Sequence, residues 1–299
     1  MNPAHWDTLQ RLYAVVFGGQ LLLLAFLLAR AATRGVGPIT WLREHVIQIA
    51  AFLAFEYLLL PNLVVVLFSF NNPTGRFNYQ WVRFSTAAWT NICGAPNMCE
   101  SLRLSLKIGF LATIGATVLG TLMAFALGRH RFRGRSSTNL LVFMPMATPE
   151  VVMGSSLLTL FISLKVPLGQ TAILIAHVMF CVSFVVVTVK ARIAGLDPRL
   201  EQAAADLYAN EMQTFWRITF PLVAPGIAAG ALLAFSLSFD DYIVTNFNAT
   251  TNSVTFPMFV WGAAQRGTPV QINVIGTLMF VAALAVVAGA QLVGRRRKA

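Results

Sequence analysis

Charge is scarce in this sequence: Asp, Glu, Lys and Arg make up 11% of its 299 residues, against about a quarter in soluble domains. With 57% of residues hydrophobic and 23 Phe, and a mean hydropathy of +0.69, a water-soluble fold would expose too much apolar surface. Acids are scarcer than bases, 11 against 22. A basic excess can mark a nucleic-acid binder, but these cations sit in short clusters between apolar runs rather than along one face, so no nucleic-acid partner is expected.

Motifs are missing as well. The phosphate-gripping G-x-x-x-x-G-K-[ST] is absent, so ATP hydrolysis is not assigned to this chain. There is no H-E-x-x-H, no G-x-S-x-G elbow and no Cys/His cluster with metal spacing; the four His stand apart at 5, 45, 130 and 177. No catalytic residue and no metal site is expected, and the chain is not read as an enzyme. No long repeat, low-complexity stretch or cleaved signal peptide stands out, because the first apolar run, Leu12 to Ala32, lacks a preceding basic segment and is long enough to span.

What is present is a series of apolar runs near the roughly 20 residues that cross a bilayer as helix. Seven fall at about 12–32, 46–70, 101–128, 138–164, 170–190, 221–247 and 272–293, predicting an all-α polytopic membrane protein. Arg11, Gly18, Gly19 and Gln20 weaken the first, which leaves an interfacial helix as its alternative. Alternate loops are basic: Arg30, Arg34 and Arg43; Arg129, Arg131, Arg133 and Arg135; Lys190, Arg192, Arg199 and Arg217; and the tail Arg295, Arg296, Arg297 and Lys298. Lys and Arg collect in cytoplasmic loops, which puts these loops and the C-terminus inside and the segments 71–100, 165–169 and 248–271 outside. Small residues at helix-packing spacing, Ala116 with Gly120 and Gly226 with Gly230, let helices approach closely.

Cys93 and Cys99 share the first large outside segment, where an oxidising compartment can couple them. So short a closed loop is worth roughly 2 kcal/mol, and two free thiols are the alternative. Cys181 lies in an apolar span and reads as a small buried hydrophobe.

Residues 191–221 are too patterned for an idle connector. Asp197 can cap a helix and Pro198 fits its first turn, while Leu200, Ala203, Ala204 and Leu207 fall on one side. A second short segment, capped by Asn210, carries Phe215, Trp216 and Ile218 before Pro221 and Pro225. Two short amphipathic helices beneath a membrane domain suit a protein partner; packing against the chain's own helix ends is the other reading.

Acids inside spans demand an explanation. Asp240 and Asp241 lie in an apolar run, where one can face a path while the other binds a neighbouring helix; a purely structural pair is an equal reading. Glu150 follows Pro149 in a span broken by Pro145 and Pro149, marking either a translocation path or a simple kink. Tyr242, Phe239 and Trp261 offer aromatic faces to a cation or anchor the membrane interface. Glu56 is read as a packing or lipid-boundary acid.

The segment 191–221 resembles the cytoplasmic signature of ABC importer permeases, E-A-A, three residues, G, then about nine residues to a hydrophobic-Pro ending. Gln202, Ala203, Ala204, Asp206, Leu207, Ala209 and Ile218 to Pro221 match it. The runs P-G-I-A-A-G-A-L-L-A-F-S-L-S-F-D-D-Y-I-V-T-N-F (225–247), M-P-M-A-T-P-E-V-V-M-G (144–154) and T-F-P-M-F-V-W (255–261) resemble the C-type permeases of the spermidine and putrescine importers. The resemblance implies a type I permease fold of six core helices over residues 46–295, with residues 1–45 an extension carrying an extra span, in a bacterial inner membrane.

It further implies a coupling loop over 191–220, in which Gln202, Ala203, Ala204, Asp206, Leu207 and Tyr208 meet an ATPase, and a substrate path at Asp240, Asp241, Tyr242, Glu150 and Trp261. Implied partners are a homologous permease, two ATPase subunits that bind ATP and Mg, an external substrate-binding protein and the bilayer; the chain itself holds no cofactor. Polyamine is the implied substrate, with thiamine, iron or an anion as alternatives and an ion-coupled secondary transporter as the mechanistic rival. Two positions depart from the pattern: Gln202 stands where Glu is usual, beside Glu201, and Tyr208 stands where Gly is usual. If that Gly is left-handed, Tyr would cost about 1 to 2 kcal/mol there, so the turn or the docking is expected to differ.

Overall fold

A computed structural model describes residues 17–20, 27 and 38–296, and side chains from 43 to 289 within the last stretch. Most of the predicted first span therefore lies outside the described residues. In chain order the helices are α1 (Pro38–Phe68), α2 (Ala87–Thr90), α3 (Met98–Arg129), α4 (Arg135–Ala147), α5 (Glu150–Ser163), α6 (Gln170–Ala194), α7 (Arg199–Asp206) and α8 (Glu211–Thr214). A π-helical turn (Phe215–Thr219) leads into α9 (Phe220–Asp240), followed by α10 (Ile243–Asn248), α11 (Phe256–Arg266) and α12 (Val270–Arg296). Among the described residues the only strand-like pairing is one antiparallel bridge, Asn71 with Phe84.

Among the described residues five helices are long and apolar enough to cross a membrane, Arg43–Phe68, Met98–Arg129, Gln170–Ala194, Glu211–Asp240 and Val270–Gly289; α4 and α5 make a sixth if their 109° bend is one broken span. That break falls at Pro149, whereas Pro145, expected to share it, lies inside α4. Thr148, ahead of Pro149, is extended at φ −83°, ψ 131°, because the proline ring disfavours the helical region for the residue before it. The predicted span 221–247 is corrected: α9 stops at Asp240, Asp241 turns out of helix at ψ 125°, and a separate helix begins at Ile243.

The chain forms two compact units, Met1–Pro96 with Ala263–Ala299, and Asn97–Gly262. In the second, α6 is the hub, packed by α3, α4 and α9, with 56% of its apolar window buried. Close approach depends on missing side chains. A Cβ added at Gly120 would lie 2.7 Å from Val185 Cβ, and one at Gly230 would lie 3.5 Å from Val185 Cα, so two helices close on the same valine. Ala112, Ala116 and Ala124 are fully buried on the same side of α3 as Gly120. At helix ends, Gly226 of α9 receives Arg192 of α6, whose Cβ would stand 2.7 Å from an added Cβ.

In the first unit α12 packs on α1 and α2. Val270 and Val274 bury against Ala88, Trp89 and Ile92. The segment after α1 is held by two buried amides: Asn71 donates to Asn78 Oδ1 at 2.7 Å and to the Gln80 carbonyl at 2.6 Å, and Asn78 donates to the Phe68 carbonyl at 2.9 Å. Glu56, midway along α1, accepts from the Gln20 amide. Elsewhere α1 is open, with Ile47, Phe55 and Tyr57 exposed, a surface for lipid or for another apolar helix to cover.

Gly120→Val should lower stability by about 1 to 3 kcal/mol through overpacking. Gly262→Ala, where a Cβ meets nothing within 4 Å, should stay within about 0.5 kcal/mol of the parent. Thermal unfolding in detergent separates them, and equal losses would refute the close-packing account.

Candidate functional site

Two groups of predicted residues occupy the second unit. The first is the connection between α6 and α9. Asp197 Oδ1 accepts the Arg199 amide at 2.9 Å, so the predicted cap opens α7. Asn210 and Gln213 form a reciprocal capping box at 2.8 and 3.1 Å, which starts α8 where the sequence pattern placed it. Between them Tyr208 is left-handed, with φ 61°. Its amide donates to the Ala205 carbonyl at 2.9 Å and the Ala209 amide donates to the Ala204 carbonyl at 3.0 Å, the two bonds that close a helix through a left-handed residue. The turn is therefore left-handed with Tyr in place, so of the two expected differences, turn or docking, the first is corrected: hydrogen bonds that end α7 hold Tyr in a conformation that costs it about 1 to 2 kcal/mol.

Exposure divides the predicted contact residues. Gln202, Ala203, Asp206, Leu207 and Tyr208 are exposed, Tyr208 at 98%, whereas Ala204 is 5% exposed and turned into the chain. The second segment packs inward through Phe215, which meets Phe125 of α3 edge-on at 5.5 Å, while Trp216, 56% exposed, meets Phe220 in the next turn, 5.1 Å between centroids. Glu201, unremarked by the motif, ties the segment together. Its Oε1 accepts from Arg129 Nη2 and from the Thr219 hydroxyl, each at 2.5 Å. Burial alone would raise the Glu201 carboxyl, but those hydrogen bonds and the Arg129 charge hold it below the ordinary carboxylate range. The stabilisation is therefore complete above that range and disappears as pH falls through the lowered value.

The second group surrounds the end of α9, where the adjacent acids differ. Asp241 is drawn in. Its Oδ2 accepts from the Thr245 amide and hydroxyl, both at 2.7 Å, and Oδ1 from the Val244 amide at 3.4 Å, so the carboxylate starts α10 as a cap does. His177 of α6, 1% exposed, lies 3.4 Å from Asp241 Oδ2, with Nε2 2.9 Å from Thr245 Oγ1 and Nδ1 2.7 Å from Ser238 Oγ. Asp240 points the other way and is exposed. Tyr242 and Trp261 pair at 5.4 Å between centroids, with Trp261 57% exposed. Phe239, offered above as a cation-binding face, is 7% exposed and packs on Phe235 and Phe256 at 5.9 and 6.4 Å; it is core. Glu150 is exposed at the first turn of α5.

The stretches 144–154, 225–247 and 255–261 converge. An added Cβ on Gly154 would lie 2.7 Å from Phe247 Cδ2, and Trp261 and Phe256 meet Tyr242 and Phe239. Cys93 and Cys99 are disulfide-bonded, and Cys181 is free and buried. Sequence reasoning missed His177, Ser238 and Thr245. One signal was there: an ionisable ring in an apolar span requires partners.

Residues 116–295 match the protein family described as "Binding-protein-dependent transport system inner membrane component". The chain is 34% identical over 241 residues to the spermidine/putrescine transport system permease protein PotC of Escherichia coli (strain K12), covering 81% of this chain and 90% of the relative. It is 36% identical over 234 residues to the putrescine transport system permease protein PotI of the same strain, covering 76% and 83%. A crystal structure of a bacterial ABC transporter involved in the import of the acidic polysaccharide alginate shares the fold, with a TM-score of 0.59 at 17% identity over 85% of this chain and 96% of that one.

Replacing His177 by Leu strands Asp241, Ser238 and Thr245 without their ring partner and should cost about 2 to 4 kcal/mol. His177→Asn, which retains a donor and an acceptor, should cost less. Thermal unfolding in detergent reads both, and a His177→Leu protein as stable as the parent would remove the network's structural role.

Proposed function

The chain belongs to the binding-protein-dependent transport system inner membrane components, and on that premise we propose that it is the permease subunit of an ATP-driven importer of polyamines, working by alternating access. The observation that carries the substrate is the 34 and 36% identity, over most of this chain, to two permeases named for spermidine and putrescine. The site chemistry agrees with a polycation. Asp240 leaves a carboxylate exposed where a span ends, able to replace ammonium hydration with charge-assisted hydrogen bonds. The paired rings of Tyr242 and Trp261 follow it and offer π faces to the same groups. Asp241 serves by holding the break that presents Asp240.

The engine is a pair of separate ATPase subunits that bind ATP and Mg, and a homologous permease completes the path. Gln202, Ala203, Asp206, Leu207 and Tyr208 form the exposed edge of α7 on which an ATPase docks, with Met212 and Trp216 beside it, both more than half exposed. ATP-driven closure moves α7 and opens the path outward; a substrate-binding protein delivers the polyamine there, and hydrolysis returns the path inward. The chain sits in a bacterial inner membrane with its basic loops and C-terminus in the cytoplasm. The disulfide-bonded Cys93 and Cys99 support placing the 71–100 segment on the oxidising side.

Reconstitution with the ATPase and binding protein should give ATP-dependent uptake of labelled spermidine and putrescine. Asp240→Asn should raise the half-saturating concentration about tenfold, the loss of one charge-assisted contact, with little change in thermal stability, whereas Asp241→Asn should lower stability first. Uptake without any ATPase would sink the proposal; ATP-driven activity indifferent to polyamines would remove the substrate and leave the architecture.

Tyr208→Gly separates backbone from contact. It should relieve the left-handed strain and stabilise the isolated chain by about 1 kcal/mol, while weakening co-purification of the ATPase if the ring docks there. Unchanged co-purification would take Tyr208 out of the contact.

A further inference from the structure

We infer that Glu201 is a positioning residue for coupling: with Arg129 and Thr219 it clasps α7 to the ends of two spans, so that movement of α7 reaches α3 as well as its covalent neighbours. This rests on the proposed ATP-driven reading.

The connection through the chain runs only from α6 by way of 195–198 into α7, and from α7 through α8 and the π-turn into α9. Nothing covalent joins α7 directly to α3. Glu201 supplies that link, because Arg129 is the last residue of α3 and its Nη2 meets Glu201 Oε1 at 2.5 Å. The Thr219 hydroxyl reaches the same oxygen at 2.5 Å, from a residue 1% exposed at the close of the π-turn. An aromatic seam runs alongside. The Arg129 guanidinium lies 5.9 Å from the Phe125 ring centroid, and Phe125 packs edge-on against Phe215 in the π-turn. One carboxylate thus receives donors from two elements that sequence does not join to each other, in the geometry that makes charge-assisted bonds strong.

The arrangement also divides labour between neighbours. Gln202 stays exposed beside Glu201, so of the two neighbours it is the charged one that bonds to Arg129 and Thr219. α7 then docks with an uncharged amide while its acid anchors the helix to the membrane domain. π-turns recur at functional sites where a helix must yield locally, and this one is pinned at its last residue by the same carboxylate.

The test uses the full complex in proteoliposomes and reads polyamine taken up per ATP hydrolysed, together with ATPase co-purification. Glu201→Gln should keep the ATPase bound but lower uptake per ATP by about five- to tenfold, and Thr219→Val should lower it less. Reversing the pair, Arg129→Glu with Glu201→Arg, should recover uptake relative to Glu201→Arg alone, a rescue that general destabilisation would not give. Unchanged uptake per ATP in Glu201→Gln, or no rescue on reversal, overturns the clasp while the importer reading stands. Loss of the ATPase from Glu201→Gln would make the residue a docking contact and overturn it too. A wild-type complex without ATP-driven uptake would fail the importer reading itself, and with it the clasp.

Discussion

A polar group among apolar helices must find its partners inside the protein, and the pairing of Asp241 with His177 and Thr245 is where this chain meets that demand most sharply. Hydrogen bonds from Thr245 satisfy the carboxylate, and they can do so only if the backbone leaves helix at Asp241 and begins again at Ile243. The break between α9 and α10 is thus the geometric consequence of satisfying one acid. Because α10 then packs on α5, with Phe247 filling the space left by Gly154, the second half of the broken α4–α5 pair is fixed by the same event. Two irregularities of the membrane domain, one made at a proline and one by a carboxylate, support each other.

Left-handed Tyr208 shows a comparable constraint outside the membrane. A helix of eight residues, α7, must end abruptly to let α8 start at Asn210. The bonds from the Tyr208 and Ala209 amides to α7 carbonyls fix a left-handed residue at position 208 whatever its side chain. Gly would enter that conformation freely. Tyr enters it at a cost, and its ring is left 98% exposed among the described residues. Strain held at an exposed aromatic is a reason to look for function there rather than in folding.

Much of this was legible from periodicity and composition. Four apolar runs became single long helices, the break expected at Pro145 and Pro149 fell at Pro149 alone, and Gly120 and Gly230 admit a neighbouring helix closely, as small residues at that spacing allow. Asp197 and Asn210 cap the helices they precede. The end of α9 was not legible, because Ile243, Val244 and Phe247 continue the apolar run and hydropathy does not register a backbone that turns to cap itself. Phe239 could be read as a path residue because one-dimensional position does not say which side of α9 is crowded; Phe235 and Phe256 decide it. Glu201 was hidden for a different reason. The motif directs attention to the next residue, and its partners Arg129 and Thr219 lie 72 and 18 positions away.

The two adjacent acids follow opposite rules, and the contrast gives the functional argument its direction. Successive residues at a helix end point well apart, so when one carboxylate turns in to His177, its neighbour is turned out. The inward acid has every demand met by groups of this chain, and it is needed for the fold. The outward acid is exposed and meets only its own backbone amide, and no folding argument requires an acid there, since an uncharged side chain at an exposed helix end would serve as well. On the proposed importer reading, a charge at the end of an apolar span, where carrying it is costly, serves something that comes to it: a cation in transit, or a group on another chain that lines the same path.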